Sequence, residues 1–183
     1  MASQKEQTFE EIVAAYYEPL YRFGLSLTQG AAEASDLVQE TFFLWASKGH
    51  QLRDKSKVKS WLFTTLHREF LGTRRRQTRF PHYEVGVVEH ALPKVEPKFA
   101  NQIDGAKLVD MIGGIDEIYR APLTLFYLQE HSYQEIADVL EIPIGTVMSR
   151  LSRGKAQLRE RLSVSPRKRN DRSDSEQKIV RLG

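Results

Sequence analysis

Apolar positions in the first 75 residues fall into three helical stretches. Phe9, Ile12, Val13, Tyr16 and Tyr17 recur at spacings of three and four, which sets them on one stripe of a helix. Leu20, Phe23 and Leu27 continue that face past Pro19, where the missing N–H predicts a kink or a restart. Gln29-Gly30 predicts the helix end. A second helix is expected from about Ala31 to Ser47, with Ala34, Leu37, Val38, Phe42 and Trp45 inward. The polar, aperiodic segment from His50 to Lys57 reads as a loop. A third helix is expected from about Val58 to Arg75, carrying Trp61, Leu62, Thr65, Leu66 and Phe70. The relation of Trp61 to Thr65 and Leu66 favours a core position for it.

Between Gln77 and Asp104 the period is lost, and Pro81, Pro93 and Pro97 punctuate the stretch. So long an aperiodic segment is uncommon inside a compact domain and predicts a boundary. Helical spacing returns at Lys107 to Ile112 and from about Ile118 to Gln129. Ser132 and Glu135 then form a capping box, each able to satisfy the other's backbone N–H. Ile136, Ala137 and Leu140 face inward on the helix they open. A tight connection, Glu141-Ile142-Pro143, leads into a last helix, whose first turn tolerates the proline because its N–H groups are spare. Val147, Leu151, Leu158 and Leu162 make its apolar stripe. Met148, Ser149, Ser152, Arg153 and Lys155 lie opposite, flanked by Arg150. Two helices joined by a short turn, the second with a one-sided basic face, predict a helix-turn-helix. Small hydroxyl side chains allow close approach to DNA, and arginines pair with guanine edges or phosphates.

The pattern as a whole predicts an all-α protein of two small helical domains. The first spans 1–78, an irregular linker 79–103, the second 104–163, and a disordered basic and polar tail 164–183. Charge sharpens the picture. The net charge is only +3, but Lys and Arg cluster at 74–79 and 150–172 while Asp and Glu lie through the first 45 residues. That asymmetry points to a polyanion met at two separate places. The chain has no cysteine, which excludes disulfides, thiolate zinc sites and thiol redox chemistry. The N-terminus carries no apolar signal core, and no apolar run approaches the roughly 20 residues that span a bilayer. A soluble, cytoplasmic protein without membrane insertion is expected. His50, His67, Glu69, His82 and His90 are the obvious candidates for catalysis, yet they form no carboxylate pair, phosphate loop or metal-spaced cluster. No enzyme, cofactor or metal is expected.

The segments Ser132 to Leu140, Ile142 to Lys155 and Leu158 to Leu162 resemble region four of the extracytoplasmic-function (group IV) sigma factors of bacterial RNA polymerase. The first half resembles region two of the same family in Tyr21-Arg-Phe23, Asp36 to Phe42, Trp61-Leu-Phe63 and the run Arg74-Arg-Arg76. The resemblance covers roughly 9–79 and 104–162, in the family's order. It implies that the first domain is the region-two bundle and the second the region-four helix-turn-helix. It implies three contact sets. Asp36, Gln39 and Glu40 would meet core RNA polymerase; they lie three and four apart on one helix face. Lys55, Lys57, Lys59, Arg68, Arg74, Arg75 and Arg76 would meet the minus-ten DNA. Thr146, Met148, Ser149, Arg150, Ser152, Arg153 and Lys155 would meet the minus-thirty-five DNA, with Thr146, Arg150 and Lys155 on phosphates. A monomer when free, controlled by an anti-sigma factor, is the family's implication for partners beyond polymerase and promoter DNA.

Three positions depart from the family pattern. Position 148 is usually Lys or Arg and is Met here, which makes an apolar contact to a thymine methyl available. The third helix reads Leu66-His67-Arg68-Glu69 where the family usually has an Ala-Arg-Asn word. Glu141 stands where Gly is common, so the turn either needs no positive φ or tolerates the strain. A stand-alone helix-turn-helix regulator would explain residues 104–162 but would leave the first domain idle.

Overall fold

The computed structural model describes residues 7–79 and 103–164. The expected linker and tail lie, for the most part, outside these residues. Every described element is helical: α1 (Phe9–Thr28), α2 (Ala31–Lys48), α3 (Val58–Arg79), α4 (Ile103–Gly113), α5 (Glu117–Tyr127), α6 (Tyr133–Leu140) and α7 (Ile144–Val164).

α1 opens on a capping box in which Thr8 and Glu11 serve each other's backbone N–H. Of the two outcomes expected at Pro19, the restart does not occur: one helix runs through it. The ring deprives only the Ala15 carbonyl of its partner, and Ala15 is exposed, so water can take that place. Either side of it, buried Ile12, Leu20, Phe23 and Leu27 hold the helix onto the core. Gln29, rather than the neighbouring glycine, takes the left-handed cap at φ 60, and its N–H returns to the Leu25 carbonyl at 2.9 Å. Gly30 then caps α2 in extended conformation.

The segment read as loop contains two short 3-10 turns, Gly49–Gln51 and Lys55–Lys57. Asp54 caps the second, accepting from the Ser56 N–H at 3.0 Å and its hydroxyl at 2.6 Å. Gly49 is required there: a Cβ would stand 2.6 Å from the Trp45 ring. α3 continues a turn beyond the expected Arg75, to Arg79.

α1, α2 and α3 pack around Phe23, Val38, Phe42, Leu62, Phe63 and Leu66, all fully buried. α4 to α7 pack around Ile112, Leu123, Leu125, Ile136, Val147 and Leu151. α7 lies so close to α5 that a Cβ on Gly154 would meet Leu123 at 2.8 Å and Tyr119 at 3.0 Å. The two halves also pack on one another, and their buried residues form a single continuous core. α1 lies against α4 and α5, and α3 against α6. Inside that junction the Thr124 hydroxyl donates to the Ser26 hydroxyl at 2.8 Å, which donates in turn to the Phe23 carbonyl at 2.8 Å. Both hydroxyl residues are fully buried, and this chain of bonds satisfies them.

Candidate nucleic-acid interface

The helix-turn-helix is built by local chemistry. The Ser132 hydroxyl accepts from the Glu135 N–H at 3.3 Å, and the Glu135 carboxylate accepts from the Ser132 N–H at 2.7 Å. The Ser132 N–H, with the Ser132 hydroxyl donating to the same carboxylate at 2.8 Å, holds the Glu135 carboxyl below its ordinary range. Ile136, Ala137, Val139 and Leu140 are buried beneath α6. Glu141 ends the helix at φ 56, so the turn does demand a positive φ and this glutamate bears the strain. The Pro143 carbonyl accepts from Thr146 and Val147 at 2.8 and 3.2 Å, starting α7.

α7 sorts its residues as a reading helix needs. Val147, Leu151 and Leu158 are buried against α5 and α6, while Met148, Ser149, Ser152 and Arg153 are exposed. Thr146 and Arg150 are half-buried at the edge of that face. The Ser149 hydroxyl donates to the Thr146 carbonyl at 3.0 Å, which turns its oxygen outward as an acceptor. Lys155 stands apart from the others. Its ammonium sits 4.5 Å over the Phe126 ring and 5.8 Å from that of Tyr127, a cation–π arrangement that draws it toward α5.

On the first half, Asp36 and Glu40 are exposed and Gln39 half-buried on the outer side of α2. Lys57 and Arg53 are exposed on the segment between α2 and α3, and Lys55 is half-buried. Beneath that segment lies an open hollow of about 750 Å³, lined by Phe9, Ile12, Trp45, His50, Lys55 and Val58. Trp61 is half-buried and meets Trp45 edge to face at 5.2 Å, so it packs as part of the core's rim. Arg75 and Arg76 are exposed and bond within their own helix, to the Leu71 carbonyl and the Thr73 hydroxyl.

Comparison with known proteins settles the family. Residues 12–80 match the model for Sigma-70 region 2, and residues 106–158 match that for Sigma-70, region 4. The ECF RNA polymerase sigma factor SigM of Bacillus subtilis is 30% identical over 153 residues, covering 83% of this chain and 93% of its own. The chain belongs to the ECF sigma factors of RNA polymerase. SigW of the same organism is 27% identical over 175 residues, across 86% of this chain and 90% of its own. Among solved structures, the Bartonella quintana sigma factor RpoE, in complex with the anti-sigma factor NepR, superposes with a TM-score of 0.68 at 27% identity. That match covers 86% of this chain and 98% of the other.

As a sigma factor, the chain binds core RNA polymerase and promoter DNA to direct transcription initiation. In the packed arrangement, three of the basic residues on α3 are already partnered. The Arg68 guanidinium forks onto the Glu141 carboxylate, with one bond of 3.0 Å from Nε. Arg74 pairs with Glu117 at the start of α5. The Lys59 ammonium donates to the Gln129 carbonyl at 2.9 Å, and the Gln129 amide reaches the Pro19 carbonyl at 3.3 Å. The Arg68 partner holds the Glu141 carboxyl below its usual range. Sequence reasoning did not find Glu117, Gln129 or Ile144. The first two act across the linker, where no periodicity connects them to α3. Ile144 is an apolar residue at the start of α7 that stands outside the core.

Two histidines line the junction. His131 is 4% exposed, its ring edge to face with Phe63 at 5.2 Å, and burial followed by the Lys59 charge pushes its pKa down. His67, half-buried beside Phe23, is lowered by burial to about 4, with Arg150 adding to the effect and Glu141 opposing it. Among the described residues, no group of three or more His, Cys, Asp or Glu side chains is placed to hold a metal. None of the described helices is long and apolar enough to cross a membrane.

Proposed function

We propose that this sigma factor docks on core polymerase through Asp36, Gln39 and Glu40 of α2. In this reading it holds the minus-ten strand with Lys55, Lys57, Lys59, Arg68 and Arg74 to Arg76. Thr146, Met148, Ser149, Arg150, Ser152 and Arg153 engage the minus-thirty-five duplex, with Lys155 contributing after it leaves the Phe126 ring. The observation that carries this reading is the outward face of α7, where small hydroxyls and an arginine stand exposed on the second helix of a helix-turn-helix. The hollow beside Trp45 supports strand capture, because an unstacked base needs an aromatic-walled recess flanked by cations.

The two DNA faces stand differently in the packed arrangement. Met148, Ser149, Ser152 and Arg153 are open, whereas Lys59, Arg68 and Arg74 are spent on the second half of the chain. Engaging the minus-ten strand therefore requires the halves to part. The protein works in the cytoplasm as a monomer until it meets polymerase, performs no chemistry of its own, and answers to an anti-sigma factor. The complex of the Bartonella sigma factor with NepR supports the last point.

Run-off transcription with core polymerase, the purified chain and a library of genomic fragments tests the proposal. Discrete start sites that appear only with the chain are expected. Products that are the same with and without it would contradict the reading.

A further inference from the structure

α7 exposes two large apolar side chains among its described residues, Ile144 at 44% and Met148 at 53%. They lie four residues apart, hence one above the other on the same face. Met148 continues into exposed Ser152 four residues on, beside exposed Ser149, while Ile144 stands at the open N-terminal end of the helix's apolar stripe; both belong to the helix's first turns, which enter the major groove. Neither side chain is needed by the core, since Val147 and Leu151 fill that side. Gly145 lies between them with nothing within 4 Å of where a Cβ would be, so internal packing does not require the glycine. Its bare backbone instead allows a groove wall to come close beside the apolar pair.

What such a surface can recognise is restricted. A lysine or arginine at position 148 would donate to guanine O6 and N7, or to phosphate. A thioether has no hydrogen to donate, and in the major groove the apolar feature is the thymine methyl. Methionine's unbranched chain can settle against it without demanding one rotamer. Ser149, with its hydroxyl hydrogen turned back to Thr146, offers an acceptor beside it and suits an adenine or cytosine amino group on the adjoining pair.

We propose that Met148, backed by Ile144, reads the 5-methyl group of a thymine in the minus-thirty-five element. This chain's promoters then carry a T·A pair at the position facing Met148. The inference rests on α7 being the minus-thirty-five reader.

The test uses the holoenzyme assembled from core polymerase and the full chain. Selection from a randomised duplex library first gives the minus-thirty-five motif. Each thymine of the motif is then replaced singly by deoxyuridine, which removes only the methyl. One such replacement should weaken binding about fourfold, the worth of one buried methyl group. The same replacement should be neutral for the Met148→Ala holoenzyme, and Met148→Lys should shift selection at that position from thymine toward guanine. A selected motif in which no deoxyuridine replacement matters would overturn the proposal while leaving α7 as the reader. An equal loss for wild type and Met148→Ala would overturn it too, because another group would be reading the methyl. A library that returns no upstream motif would instead sink the underlying assignment of α7.

Discussion

Arg153 and Glu141 show how differently single residues reveal themselves. Arg153 falls opposite the apolar stripe of α7, so its exposure follows from the helical period alone. Replacing it by alanine should cost about 1–3 kcal/mol in binding to the cognate promoter if it touches a base edge. Titration against cognate and random duplex side by side checks this, and an equal loss on both would assign it to phosphate. Glu141 was legible only as an anomaly. Its left-handed backbone is a property of the turn, and its partner Arg68 lies 73 residues away, beyond any local pattern. His67 was equally silent, since no spacing rule announces that a histidine will be packed beside Phe23. Its pKa of about 4 lies below the ordinary 6.5, so the folded state resists a proton that the unfolded chain accepts. The stability it contributes is present above about pH 6.5 and is lost as pH falls toward about 4. Melting temperatures followed from about pH 7.5 down to about 4.5 should therefore fall more steeply for wild type than for His67→Gln. Parallel curves would show that His67 is not held neutral by the fold.

Helices are the scale at which the sequence was read best. Each described helix was expected, because each carries a strong three-and-four spacing and several begin on a recognisable cap. α6 is the clearest case, and its stability should respond accordingly. Ser132→Ala removes one half of the capping box and should cost about 1 kcal/mol. Leu140→Ala empties a site that is 4% exposed and should cost about 2–5 kcal/mol. Chemical denaturation of each variant checks both values, and a Leu140→Ala loss under about half a kcal/mol would undo the seating of α6 described above. The unbroken helix at Pro19 has a physical cause. A proline breaks a helix when the freed carbonyl and the ring have nowhere to go, and here the carbonyl belongs to an exposed residue while the flanking positions are anchored in the core. The sites followed the helices: face and exposure were readable for α2 and α7. The partners of Lys59, Arg68 and Arg74 were not, because they come from the other half of the chain.

At the scale of the molecule, the two halves share one core and close over Lys59, Arg68 and Arg74 of the proposed minus-ten contact set. The exposed ion pairs of Arg68 and Arg74 add little to closure in water, since such pairs are worth about 0–1 kcal/mol and salt screens them. The buried junction around Ser26, Thr124, Phe63 and His131 holds the halves together more firmly. Because the chain has no native cysteine, that junction can be locked cleanly. The Ser26 and Thr124 hydroxyls are 2.8 Å apart, so a Ser26→Cys, Thr124→Cys protein places two thiols within bonding reach. Oxidised, it should fail to initiate from a cognate promoter, and reductant should restore initiation. Full activity of the cross-linked form would show that the halves need not part.

Joining core polymerase is the act on which everything else here depends, and the acidic face of α2 is the proposed junction. The direct measurement is the affinity of the purified chain for bacterial core RNA polymerase, beside an Asp36→Lys, Glu40→Lys double variant. Both substitutions lie on exposed positions, so the variant should fold as wild type does, which circular dichroism verifies. Tight binding by wild type and its loss in the variant are the expected result. Equal binding by both would move the docking face elsewhere, and no binding by the folded wild-type chain would contradict its reading as a polymerase subunit.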